Sequence, residues 1–97
     1  MQAIKRLEII IDTPELDDIL STIEAEAVTG YTVIRDVKGR GDRGLRMDDG
    51  LSGEFSNSYI LIACDAEAAL RLVERVRPIL RRRGGMCLVS DALWVKH

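Results

Sequence analysis

The sequence predicts one α+β domain with its elements in the order β-α-β-β-α-β. Three observations carry that expectation: β-branched runs bounded by turn residues, two aliphatic stripes at helical spacing, and a glycine pair that ends the second stripe. The chain has 97 residues, which is room for one core, so residues 1–97 are read as a single domain. Hydrophobic residues make up 46% of it and aromatic residues only 4%, so the core must be built from Ile, Leu, Val and Ala.

Ile4 to Ile11 is β-branched and partly alternating, the signature of a strand. It stops at Asp12-Thr13-Pro14, where Thr13 has the side chain of a helix N-cap and Pro14 fits the first helical position. Leu16, Ile19, Leu20, Ile23 and Ala27 then recur at helical spacing, with Asp17 and Asp18 near the positive end of the helix dipole and Gly30 as a stop. Tyr31 to Val37 reads as the second strand. Strict alternation would put Tyr31, Val33, Arg35 and Val37 on one face and Thr32, Ile34 and Asp36 on the other. Ser58 to Cys64 is the third strand. A helix opening at Asp65 or Ala66 carries Ala69, Leu70, Val73, Val76 and Leu80 as its apolar stripe. Arg81, Arg82 and Arg83 complement its negative end, Pro78 should kink or shorten it, and Gly84-Gly85 ends it. Met86 to Val95 is the fourth strand.

This order is the ferredoxin-like arrangement, an antiparallel four-stranded sheet with both helices on one face. Ile10, Ile60, Ile62, Leu88 and Trp94 would then need cover on the opposite face. An uncovered apolar sheet face predicts self-association, which a chain this short also needs for stability.

Charge and composition exclude several classes. Fourteen basic residues against sixteen acidic ones leave a formal net charge of −2, the wrong sign for nonspecific nucleic-acid binding. RNA recognition on the sheet needs exposed aromatics on its strands, and Tyr59 is the only candidate on the third strand. Tyr31 and Trp94 read as core or interface residues. Cys64 and Cys87 sit in apolar runs outside any CxxC motif, which reads as buried reduced thiols. Met1 leads directly into a strand pattern, so neither a signal peptide nor a membrane span is expected, and the cytoplasm is the default compartment. The one histidine, His97, is terminal, and Asp48, Asp49 and Glu54 fall short of a metal site. Asp42 reads as a local partner of the arginines beside it. No enzymatic activity is expected.

Gly30 to Arg46 is the informative segment, and it runs into a long loop over residues 38–57. A loop of this length inside a compact domain is usually functional or mobile. Gly39 and Gly41 let the backbone approach an anion, while Arg40, Arg43 and Arg46 carry planar donors suited to phosphate and Lys38 adds a point charge. The bland alternative is a solvated loop with no specific ligand. Gly84-Gly85 has two readings as well: a helix C-cap, or a second close approach to a ligand.

Gly30-Tyr31-Thr32-Val33 followed by the Gly/Lys/Arg loop base resembles the signature of PII signalling proteins. Arg40-Gly41-Asp42-Arg43-Gly44-Leu45-Arg46 is similar to the pattern of PII-like proteins linked to inorganic-carbon uptake, the SbtB and carboxysome-associated group. The resemblance implies a homotrimer with an adenine-nucleotide site in each cleft between subunits. Thr32 would read the adenine edge, and Gly39, Arg40, Gly41, Arg43 and Arg46 would hold the phosphates. Gly84, Gly85 and Met86 would close the site from the neighbouring subunit, and residues 38–57 would be the T-loop that engages a partner such as a bicarbonate transporter. That loop has no tyrosine for the uridylylation of PII proteins, and the chain ends soon after Trp94 without their C-terminal basic segment or the cysteine switch of SbtB. ADP, AMP or cyclic AMP is therefore the expected ligand rather than ATP with 2-oxoglutarate, with bicarbonate as a further implied ligand. A trimeric scaffold or metal-tolerance protein of similar fold is the competing reading, and it leaves the loop unexplained.

Overall fold

The computed structural model describes residues 1–26, 28, 30–41, 44–45 and 56–97, with backbone alone at 40, 41, 44 and 45. The predicted order is observed. Strand β1 (Gln2–Asp12) runs through a 3-10 turn (Thr13–Glu15) into helix α1 (Leu16–Ala25) and then β2 (Tyr31–Val37). Two short strands, β3 (Arg40–Gly41) and β4 (Gly44–Leu45), pair as a separate ribbon inside the segment read as loop. Strand β5 (Asn57–Cys64), helix α2 (Ala66–Arg83) and β6 (Met86–Trp94) complete the chain. The four long strands form one antiparallel sheet in the order β2-β5-β1-β6.

Register decides which face each residue serves, because residues opposite each other in a ladder share a face. Leu7 pairs with Ile62 and Ile9 with Ile60, and none of the four is more than 1% exposed. Leu16, Ile19 and Ile23 of α1 and Ala69, Leu72, Val76 and Ile79 of α2 close over them. Ile60 and Ile62 therefore belong to the helix-covered face, not to the open one the sequence reading gave them. Alternation alone could not phase β5, because both of its faces are apolar. The same ambiguity misplaced α2: Leu72 and Ile79 are in the core, whereas Leu70 is 70% exposed. The helix continues through Pro78 to Arg83 without ending early.

The helix ends are set by different chemistry. Asp65 caps α2, accepting the Ala68 N–H at 2.8 Å. Thr13 does not cap α1, because its hydroxyl is engaged with Ser56 at 3.1 Å and Ser58 at 2.9 Å. Just past α1, the buried carboxylate of Glu26 receives Arg71 at 3.0 Å and Arg75 at 2.9 Å, which pins the end of α1 to α2. Glu15 is also buried and pairs with Arg83 at 2.7 Å. Ala27 lies outside the described residues.

The opposite face of the sheet has no helix on it. Ile34, Met86, Leu88 and Trp94 stand on it between 41% and 53% exposed. Trp94 is thus a surface residue of the single chain, and so is Tyr31 at 37%. Arg6, Glu8, Tyr59 and Ser90 make a polar patch within this face: the Tyr59 hydroxyl donates to Glu8 at 2.8 Å and the Arg6 Nε to Ser90 at 3.2 Å.

Candidate functional site

The two segments singled out by the sequence meet at one end of the sheet. Asp12 pairs with Asn57, Val37 also pairs with Asn57, and Ile10 pairs with Met86. The end of β2, the start of β5, the end of β1 and the start of β6 therefore lie side by side. Both roots of the 38–57 segment sit here with the α2–β6 connection. The β2 root is on one edge strand and the connection leads into the other, β6, three strand spacings or about 14 Å apart, while the β5 root is on the interior strand beside β2.

At the β2 root the chain leaves the sheet through a bulge. Arg35 faces Ser58 and Val37 faces Asn57, so Asp36 is the extra residue, held at φ 62°. Asp tolerates this left-handed backbone better than most side chains do. The bulge also reverses the alternation, moving Val37 to the Asn57 side of the sheet instead of the Val33 side. The Ser56 hydroxyl donates to the Asp36 carboxylate at 2.9 Å, which ties the two roots together. Thr13 N–H donates to the Ser56 carbonyl at 2.7 Å.

At the other edge, Gly84 and Gly85 both have positive φ, 85° and 103°. Gly84 N–H donates to the Leu80 carbonyl at 2.7 Å, so the C-cap reading holds for Gly84. Gly85 is required by packing as well: a Cβ there would come within 2.4 Å of the Ile10 carbonyl oxygen. Met86, next in the chain, is exposed on the open face.

The remaining predicted site residues divide. Thr32 is exposed on edge strand β2, opposite Leu61 and on the open face with Ile34. Among the described residues, nothing lies within 4 Å of where a Cβ on Gly39 would be. Arg40 and Gly41 are in β3, their backbones paired with Leu45 and Gly44. Arg43 and Arg46, with Asp42, Asp48, Asp49 and Glu54, lie outside the described residues. Sequence reading missed Asp36, Ser56, Thr13 and Glu15 as members of this region. Only Asp36 left a trace, as a residue type that tolerates positive φ just before a glycine-rich stretch.

No cluster of three or more metal-ligating side chains occurs among the described residues. Cys64 and Cys87 are free and half-buried, and burial pushes both thiols up from their ordinary pKa. The Tyr59 phenol is raised, chiefly by its hydrogen bond to Glu8, and that of Tyr31 by its bond to Glu24. His97 is exposed at the terminus. No helix among the described residues is long and apolar enough to cross a membrane.

Comparison with known proteins gives the family and the fold. The family model for Nitrogen regulatory protein P-II matches residues 4–97. Among solved structures, CPII, a nitrogen regulatory PII-like protein from Thiomonas intermedia K12 bound to ADP, AMP and bicarbonate, superposes with a TM-score of 0.84 at 24% identity. The match covers 93% of this chain and 86% of that one. CPII of the same organism bound to ADP, AMP and acetate gives 0.84 at 23% identity, covering 98% and 91%. Its apo form gives 0.78 at 23%, covering 93% and 89%. At these identities the likeness is one of fold. No curated protein matches the sequence.

Proposed function

The chain belongs to the P-II family, and on that premise we propose that it is a regulatory sensor, not an enzyme, binding an adenine nucleotide in clefts between the subunits of the trimer typical of this family. One observation carries the reading. The β2 root of the loop and the Gly84–Met86 connection lie at the same end of the sheet but on opposite edges, a placement that supports two half-sites per chain, each turned to a different neighbour. The exposed apolar face gives the reason to assemble: Ile34, Met86, Leu88 and Trp94 are aliphatic and aromatic surface that a monomer leaves in water.

In this reading Thr32 recognises the adenine edge from the open face of β2. Gly39, Arg40, Gly41, Arg43 and Arg46 hold the phosphates, with guanidinium groups making charge-assisted hydrogen bonds. Gly84, Gly85 and Met86 of the adjacent subunit close the cleft. ADP and AMP are the first ligands to test, since CPII is described bound to both, and cyclic AMP is the third. Bicarbonate, also bound by CPII, fits the cationic loop base. Nucleotide binding would shift residues 38–57 between conformations with different affinity for a partner, and its differential affinity for the two conformations limits that shift. The resemblance of the loop base to the carboxysome-associated and SbtB-type regulators supports a bicarbonate transporter in the membrane, contacted from the cytoplasm, as the partner class.

Isothermal titration with ADP, AMP, cyclic AMP and ATP, each with and without bicarbonate, tests this. Micromolar binding of at least one nucleotide is expected. Arg43→Ala and Arg46→Ala should weaken ADP by roughly tenfold or more while leaving adenosine nearly unchanged. Absence of binding by every nucleotide, from a protein verified as a trimer, would leave a scaffold of the same fold.

A further inference from the structure

The turn Thr13–Glu15 lies between the β5 root of the 38–57 segment and the end of α2. On one side, Thr13 holds the loop root by three hydrogen bonds. Its N–H meets the Ser56 carbonyl at 2.7 Å, and its hydroxyl meets those of Ser56 at 3.1 Å and Ser58 at 2.9 Å. Ser56 in turn donates to Asp36 at 2.9 Å, across to the β2 root. On the other side, Glu15 pairs with Arg83 at 2.7 Å, and Arg83 leads directly into Gly84-Gly85-Met86. Only Pro14 separates the two anchoring residues.

The burial pattern gives this turn its rigidity. Ser58 is fully buried and Glu15 is 8% exposed, so each depends on its partners to satisfy polar atoms removed from water. A buried carboxylate that lost Arg83 would be strongly disfavoured, which makes the arginine's position conditional on that of the turn. Neither Thr13 nor Glu15 is spent on capping α1 with its side chain. Their polar groups go to the loop root and the α2 end.

We infer that Thr13 and Glu15 are positioning residues that lock the roots of the 38–57 segment to the α2–β6 connection of the same chain, so that a displacement at either is transmitted to the other. The functional consequence rests on the nucleotide-sensor reading above: the two half-sites of one chain do not move independently. A cycle of variants read at the distant end measures that coupling.

Hydrogen exchange with mass-spectrometric readout on the full chain without ligand, in the wild type and in Ser56→Ala, Glu15→Gln, Thr13→Val and Thr13→Ser, provides the test. Ser56→Ala should speed exchange at Gly84–Met86, and Glu15→Gln should speed it at Val37 and Asn57, each by at least about threefold. Thr13→Val should do both, and Thr13→Ser, which keeps the hydroxyl, should restore wild-type exchange. Acceleration confined to each variant's own edge overturns the inference, and so does uniform acceleration over all strands, which is loss of fold stability. In a second arm, ADP affinity is measured for Ser56→Ala, Glu15→Gln and the double variant. A combined loss smaller than the product of the single losses is expected, and a loss equal to that product contradicts the coupling. A wild type that binds no ADP defeats the nucleotide reading, while the exchange experiment still decides the positioning role.

Discussion

The two faces of the sheet are made from the same strands and the same kinds of residue, yet they have opposite fates. On one face Leu7, Ile9, Ile60 and Ile62 are sealed by α1 and α2, and none exceeds 1% exposure. On the other, Ile34, Leu88 and Trp94 are 53%, 52% and 47% exposed. The first face folds the chain. The second leaves it unfinished, and the residues proposed to bind ligand, Thr32 and Met86, stand at the two edges of that unfinished face. In the proposed assembly, folding and site formation are therefore separate steps, governed by separate faces.

Substitutions that discriminate the faces sharpen this comparison. The largest effect is expected at the sealed face, where Ile9→Ala leaves a cavity that neighbours fill only partly. It should destabilise by about 2–5 kcal/mol, read as a lower denaturant midpoint with an unchanged slope. At the open face, Trp94→Asp should leave the single-chain fold intact by circular dichroism but weaken assembly by roughly a hundredfold or more, because a charge would have to be buried at the contact. Sedimentation should then show a monomer. Loss of fold by Trp94→Asp, or full assembly in spite of it, would break the separation of the two roles.

The smallest effect concerns the boundary between the faces. Cys87 sits on edge strand β6 opposite Ile9, toward the helices but only half-covered. Burial raises its pKa above the ordinary 9.0. The thiolate is the reactive form, so at about pH 8 alkylation should run severalfold slower than for a free thiol and accelerate as pH rises. Cys64, raised first by burial and then by the charge of Asp65, should behave alike. Reaction of either at the rate of a small-molecule thiol would mean that this margin of the core opens readily.

Much of this arrangement was legible in the sequence, and the remainder was hidden for definite reasons. Strand β2 was delimited from Tyr31 to Val37, and the other three long strands and two helices to within a residue or two at most ends, because turn residues and apolar periods mark them, whereas β3 and β4 fell inside the segment read as loop. Faces were harder. An alternating strand reveals its buried side only when the other side is polar, and in β5 Tyr59 and Leu61 alternate with Ile60 and Ile62. The bulge at Asp36 then turned Val37 over without any glycine to announce it. Thr13 was read as a cap because its local sequence fits one, whereas its hydroxyl is claimed by Ser56 and Ser58, more than forty positions away. The carboxylates of Glu15 and Glu26 carry the same lesson: they look like surface charges until α2 brings arginines to them. Of the candidate site, the glycine pair and the family signature could be read directly. The placement of the β2 root and the α2–β6 connection on opposite edges of the sheet could not, because it is a property of strand order.

The most direct test of the account is ADP titration into the assembled wild type and into Trp94→Asp, whose substitution lies at the far end of β6 from Met86. The account predicts micromolar binding by the wild type and at least about a hundredfold weaker binding by the monomer, since each cleft needs two chains. A folded monomer that binds ADP as tightly as the assembled protein, or an assembled protein that does not bind it, would contradict the account.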